Sequence, residues 1–300
     1  MPTSRLWGDT VRPHKVSLTI LVDDYTNTSR FLGEHGLSVH VELYTDKGIE
    51  RILFDTGQSS RVIDHNSRVL GIDLASIKGV VLSHRHYDHT GGLLYVARKL
   101  YEQDKRLIVV AHPWLFKPSL YIDENRQSLD IGIPYNRVLL ENYNTRFILV
   151  RSPLQVAPKT YYLGEINREM DVSKYTMGFY TILDTGELVP DNIPDDTGLA
   201  VEVEGLGTIV IGGCSHSGIA NIVLQAAKTT NRRIYAVVGG FHMNKYSKED
   251  IVETVRIFKD LGVEKVYAGH CTGYRAERIL GELLGEKFVR IHSGMRIRFN

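Results

Sequence analysis

His84-Arg85-His86-Tyr87-Asp88-His89 follows the apolar run Gly79-Val80-Val81-Leu82 and leads into Thr90-Gly91-Gly92. Three imidazoles and a carboxylate at the exit of a buried strand do not pack as ordinary core. Neutral imidazole and carboxylate are the usual ligands of a divalent cation such as Zn²⁺, Mn²⁺ or Fe²⁺. On an extended exit loop His84, His86 and Asp88 would fall on one side, with His89 turned away. One ion cannot readily use all four, whereas two can, with His84 and His86 on one and Asp88 and His89 on its neighbour. A His-rich surface loop is the bland alternative, and the preceding strand and following glycine pair argue against it.

The rest of the chain supplies a scaffold. Three hundred residues, 43% of them hydrophobic, are enough for a substantial core. With 36 Lys+Arg against 35 Asp+Glu the formal net charge is +1, so no global field favours nucleic acid or an anionic membrane. Met1 to Arg12 lacks an apolar stretch of the secretory kind, and no run approaches the roughly 18 apolar residues of a spanning helix. A soluble cytoplasmic protein acting on a small molecule is expected. Cys214 and Cys271 do not suggest a disulfide scaffold; each lies beside a histidine and can line the same pocket.

Strands are expected at 15–23, 37–44 and 49–54, a helix at 60–70, the strand 80–83 that delivers the cluster, a helix at 91–105 and a strand at 107–111. Residues 113–173 hold five prolines and only short strand-like pieces, and read as an irregular insertion, either a lid or a structural arm. Order returns with strands at 198–204 and 207–212, a helix at 218–230, a strand at 234–238, a helix capped by Ser247 with Asp250, a strand at 263–268, a helix at 274–284 and a terminal strand at 288–299. Three times a strand ends in glycine and then histidine: Gly213-Cys214-Ser215-His216, Gly240-Phe241-His242 and Gly269-His270. A β-rich first half and strand/helix units in the second imply two sheets face to face with helices outside, in one α/β domain. Ligands in layered α/β folds gather at the carboxyl ends of strands, where every candidate histidine lies.

His216 and His270 are the expected completion of the metal shell. His242 can bind metal, hydrogen-bond substrate or carry a proton. Asp55, before Thr56-Gly57, can fix the tautomer of a ligating histidine or simply form an Asx turn. Cys214 is a possible thiolate ligand, and Ser215 and Arg85 flank the site. His14, His35, His40, His65, His112 and His292 read as structural, His112 being the nearest to an exception. The helix starts at Gly91-Gly92 and Ser217-Gly218 suit a phosphate or oxyanion, with Arg85, Arg126 or Arg137 as further charge. Tyr87, Tyr175 and Phe241 could stack on a planar ring.

His84-x-His86-x-Asp88-His89 after an apolar strand, preceded by Leu53-Phe54-Asp55-Thr56-Gly57, resembles the metallo-β-lactamase superfamily. Gly36-Leu37-Ser38, Gly213-Cys214-Ser215-His216-Ser217-Gly218-Ile219, Gly239-Gly240-Phe241-His242 and Gly269-His270-Cys271-Thr272-Gly273 narrow the match to metal-dependent hydrolases resembling dihydropterin-ribofuranosylaminobenzene phosphate synthase. The resemblance implies an αββα sandwich with one or two metal ions, most often Zn, with Mn or Fe as alternatives. His84 and His86 match the first-metal pair, Asp88 and His89 the second, and His270 the last superfamily histidine. The third-motif histidine and the bridging aspartate have no obvious counterparts, and Cys214-Ser215-His216 stands at the strand end that usually carries that aspartate. The implied activity is hydrolysis or transfer at a phosphate ester or related bond by metal-activated water, with Asp88 orienting it and His242 serving the leaving group, or a pterin-linked phosphate synthase. A di-iron redox protein or a metal-free binding protein of the same fold are the alternatives; the former would need a carboxylate at His86 and a flavin domain.

Overall fold

Val80–Val81, the strand that carries the cluster, is two residues long and is held on both sides by parallel neighbours, Gly48–Phe54 and Leu107–Ala111. The computed structural model describes residues 11–300 and the backbone of Ser4–Arg5. Around Val80–Val81 a seven-stranded mixed sheet runs Arg296–Phe299, Lys15–Val22, Ser38–Thr45, Gly48–Phe54, Val80–Val81, Leu107–Ala111, Thr145–Leu149. A second sheet of eight strands runs Ser4–Arg5, Leu154–Ala157, Thr160–Tyr162, Gly198–Val203, Gly207–Gly212, Ile234–Gly240, Lys265–Gly269, Phe288–Arg290.

Alternation decides which residues lie between the sheets. Val16, Leu18 and Ile20 from one sheet and Leu199, Val201, Ile209 and Ile211 from the other are fully buried in one shared cluster. Burying each such side chain contributes roughly 1.5–3 kcal/mol, which makes this layer the main stabilising element. On the outer face of the first sheet, helices Ser60–Leu70 and Leu93–Tyr101 cover Leu53, Val80 and Val109. On that of the second, helices Ile219–Thr230, Lys248–Asp260 and Tyr274–Leu284 cover Ala200, Val210 and Val237. The layers are therefore helix, sheet, sheet, helix, as expected. Local signals set the helix ends: Ser59 accepts from the Val62 amide, Gly71 closes Ser60–Leu70 at φ 69°, and Ser247 accepts from the Asp250 amide.

Three expectations are corrected. The cluster is not extended throughout, because Tyr87–Thr90 forms a helical turn before Leu93–Tyr101 begins. The segment 113–173 is only partly an insertion: Thr145–Leu149 is the edge of the seven-stranded sheet, while Leu154–Ala157 and Thr160–Tyr162 join the eight-stranded one. What stands apart is a small antiparallel sheet, Leu188–Pro190, Phe179–Ile182, Leu120–Ile122, Ser128–Asp130, assembled from two segments distant in sequence. The terminal strand also splits. Phe288–Arg290 pairs with Lys265–Gly269 and Arg296–Phe299 with Lys15–Val22, because the chain crosses between sheets at Gly294, whose φ of +86° and contact with the Phe31 ring suit glycine alone. Among the described residues no helix is long and apolar enough to cross a membrane.

His40 lies on Ser38–Thr45, 2% exposed, with neither ring nitrogen hydrogen-bonded. Burial pushes its pKa down to about 4; Arg51 and Arg296 push the same way against Glu42. The unfolded imidazole takes up its proton near 6.5, so the unfolded state gains protons first as pH falls, and stability is lost between about 6.5 and 4. In urea titrations at pH 7 and pH 5, the native chain should lose about 2 kcal/mol more than His40→Leu; equal losses would show that this ring does not couple to folding.

Candidate metal centre

Strand ends of both sheets meet at one place. Gly48–Phe54 ends at Asp55, Gly207–Gly212 leads to Cys214, Ser215 and His216, Ile234–Gly240 to His242, and Lys265–Gly269 to His270. Asp55, Ser215, His242 and His270 all have positive φ, between 46° and 62°, a backbone costing L-residues roughly 1–2 kcal/mol each. At these four positions the turn redirects the chain immediately after the strand. Gly213 allows the close approach of the two sheets, since a Cβ there would lie 2.1 Å from Ser83 Oγ.

One group of four donors comprises Asp88, His89, Cys214 and His270, all buried. His89 Nε2 lies 3.1 Å from Cys214 Sγ, 3.2 Å from His270 Nε2 and 3.3 Å from Asp88 Oδ2. His270 Nε2 lies 3.2 Å from the same sulfur and 3.4 Å from the same carboxylate oxygen. Both rings are aimed from behind: His89 Nδ1 sits 2.7 Å from Asp55 Oδ2, and His270 Nδ1 2.7 Å from Asp24 Oδ1. Asp55 is itself held by the Ser83 amide and hydroxyl, each at 2.7 Å. Asp23 accepts the His270 amide at 2.9 Å and fixes that strand end.

A second group, His84, Cys214 and His216, shares the sulfur with the first. The His86 ring packs against both histidines, 4.5 Å from His84 and 4.9 Å from His216 between centroids. His84 Nε2, His86 Nε2 and both ring nitrogens of His216 are buried without a hydrogen-bond partner. Unpartnered buried nitrogens are costly unless something accepts their lone pairs. His242 lies 4.2 Å from His216 between centroids, its Nδ1 also unpartnered, and groups with Cys214 and Cys271.

Protonation divides the site. Burial, reinforced by neighbouring imidazoles, holds His84 and His216 well below the ordinary value, and burial brings His86 to about 3, so these three rings are neutral. Burial also lowers His89, but Asp88 and Asp55 outweigh it and raise the pKa to about 9. Burial opposes ionisation of Asp88, yet His89 and His270 outweigh that and keep it a carboxylate. Burial pushes the Cys214 thiol up, so its thiolate calls for a nearby cation. Imidazole, carboxylate and thiolate together fit a borderline divalent ion such as zinc or iron.

The structure brings the six expected candidates His84, His86, Asp88, His89, His216 and His270 to one place, His86 by ring packing, and sets Cys214, the possible thiolate ligand, in both donor groups. It removes others. Arg85 is completely buried, its guanidinium paired with Asp191 and Asp195 and its amide donating to Asp195 at 2.8 Å, so it is not a substrate ligand. The proposed anion sites fail as well: the Gly91, Gly92, Ser217 and Gly218 amides donate to Tyr87, Gly57, Asp196 and Ser215. Arg137 pairs with Glu141. Ser215 Oγ donates to the Gly240 carbonyl at 2.7 Å and ties two strand ends together rather than facing the cleft. Phe241 is core, whereas Tyr175, its hydroxyl bound to Asp250, keeps its ring on a recess beside His242. His112 pairs with Glu165.

Asp23, Asp24 and Phe179 escaped the sequence reading, and His35, read there as structural, stands instead beside His270 and Asp88. His35 is half-exposed at the mouth, bridging Asp24 at 3.0 Å and Asp88 at 3.5 Å. Asp23-Asp24 ends an apolar strand as Asp55 does, which was the available signal.

Two substitutions separate support from scaffold. Asp55→Ala should weaken metal binding about 10–100-fold in competition with a chromophoric chelator, and unchanged affinity would show that His89 needs no support. Arg85→Met leaves Asp191 and Asp195 uncompensated and should cost roughly 3–5 kcal/mol in urea unfolding; a neutral result would mean the pair adds nothing.

A family model described as beta-lactamase superfamily domain matches residues 50–125. The chain is 37% identical over 292 residues to the 7,8-dihydropterin-6-methyl-4-(beta-D-ribofuranosyl)-aminobenzene-5'-phosphate synthase of Methanocaldococcus jannaschii, covering 95% of this chain and 97% of that protein. The crystal structure of Tm1679, a metal-dependent hydrolase of the beta-lactamase superfamily, is 34% identical and superimposes with a TM-score of 0.78 over 94% of this chain and 98% of that one. YhfI of Bacillus subtilis, a metallo-beta-lactamase fold protein, has 13% identity and a TM-score of 0.54 over 95% and 100% of the two chains, a likeness of fold.

Proposed function

Because the chain belongs to the metallo-β-lactamase superfamily, in the branch of the dihydropterin-ribofuranosylaminobenzene phosphate synthase, we propose that it is a metal-dependent enzyme using water or an equivalent nucleophile at a phosphate ester or related bond of a small molecule. The observation that carries this reading is the double convergence on Cys214: Asp88, His89 and His270 on one side, His84 and His216 on the other. His86 joins the second group through its unpartnered Nε2. These residues would hold one or two divalent ions, zinc or iron by donor type. A bound ion supplies Lewis acidity, which makes water acidic enough to act as a nucleophile near neutral pH.

The chain's own groups do the rest. Asp88, ionised and 4% exposed, faces the cleft and accepts a hydrogen bond from the entering nucleophile. His242, on the Ile234–Gly240 strand end, lines the same cleft and can pass a proton to the leaving oxygen. His86, His216 and Cys214, themselves buried, form the floor of that cleft. The name of the 37%-identical relative supports a second version, in which an acceptor group of a pterin-linked substrate takes the place of water. The unpartnered nitrogens disfavour a metal-free binding protein.

Metal analysis of the purified chain should find bound ion, chelation should remove it together with turnover on a panel of phosphodiester and pterin-phosphate compounds, and His86→Ala should lose both. Full turnover by metal-free protein, or by His86→Ala with its metal retained, would falsify the proposal.

A further inference from the structure

The small antiparallel sheet places aromatic side chains over the candidate centre. Phe179 pairs in register with Tyr121, and the two rings meet at 5.6 Å between centroids. Gly178, with φ +95°, lets the Tyr121 ring lie against the backbone, where a Cβ would come within 2.8 Å of it. Phe179 stacks on His86 at 5.6 Å and 28°, and meets His216 edge-on at 5.3 Å. Neither Phe179 nor Tyr121 belongs to the described core clusters, and both are half-buried. They line two spaces at once. One is a cleft of about 250 Å³ that also holds Asp88, Cys214 and His216. The other is a recess of about 150 Å³ bounded by Tyr175, His242, Asn244 and Lys245.

The recess has aromatic groups on its walls and polar ones at its edge. Tyr175 is fixed by stacking on Tyr246 at 4.0 Å, and its hydroxyl is occupied by Asp250, so it offers ring surface rather than a donor. Asn244 and Lys245 supply an amide and an ammonium. Walls of this kind favour a flat π-system over an acyl chain, because stacked and edge-on ring contacts add to burial itself. We propose that Phe179 and Tyr121 form a binding slot for a planar heteroaromatic ring, which holds the substrate's reacting bond over the Cys214-centred cleft. Phe179 is the specificity-determining residue, since its ring is shared between slot and cleft. The slot rests on the reading that chemistry takes place in that cleft, but it is tested by binding alone.

Pterin, a fluorescent planar heterocycle, is the probe. Titrated into the full chain, it should show saturable quenching. Phe179→Leu should weaken binding about tenfold, within the range for loss of one stacking ring; Tyr121→Leu should weaken it several-fold, and Phe179→Tyr should stay within about threefold of the native chain. Metal content, measured on the same samples, should be unchanged in all three variants. No saturable binding by the native chain overturns the slot, as does native affinity in Phe179→Leu and Tyr121→Leu. Native chain that binds pterin yet takes up no metal overturns the metal-centred reading instead and leaves the slot standing.

Discussion

His89 Nε2 and His270 Nε2 face each other at 3.2 Å, with the Cys214 sulfur and an Asp88 oxygen beside both. As imidazolium ions the two edges would repel, and as neutral rings at least one lone pair would lack a partner. A shared cation would satisfy all four donors at once, and binding it would then stabilise the folded arrangement. The surrounding structure prevents the donors from moving apart. Asp55 and Asp24 pin the rings from behind, and Asp23 and Ser83 pin the backbone that carries them.

That rigidity comes from the layer between the sheets. His84, Cys214 and His270 stand one to three residues beyond strands whose apolar faces are buried, so the packing of those strands sets where their Cα atoms lie, and the helical turn Tyr87–Thr90 carries Asp88 and His89. The positive-φ residues at four strand ends are a local cost met by this surplus of burial. Arg85 follows the same logic. Set between two candidate ligands, it is neutralised by Asp191 and Asp195, and so anchors the loop without adding charge to the cleft.

The superfamily scaffold and the small sheet have different tasks. The scaffold presents donors that could hold metal, which many chemistries can use. The small sheet is built from two segments set between main-sheet strands, one between Leu107–Ala111 and Thr145–Leu149 and one between Thr160–Tyr162 and Gly198–Val203, and reaches over the donors with aromatic side chains. Substrate choice is expected to reside there, as it commonly does in segments added to a rigid frame.

The amino-acid sequence by itself determined the order of most main-sheet strands and of the long helices, the four-layer architecture and six of the candidate ligands. These depend on short-range regularities: period two in Lys15–Val22, helical spacing in Ser60–Leu70, glycine then histidine at strand ends. Only the tertiary structure decided that Cys214 is common to two donor groups, that His89 turns toward His270 rather than away, and that Asp23, Asp24 and His35 stand at the centre. It also decided that Arg85 is spent on two carboxylates more than 100 residues away. The physical reason is direction: a left-handed residue or a single helical turn reorients a side chain completely, and contacts spanning 34 to 247 residues leave no periodic trace in the chain.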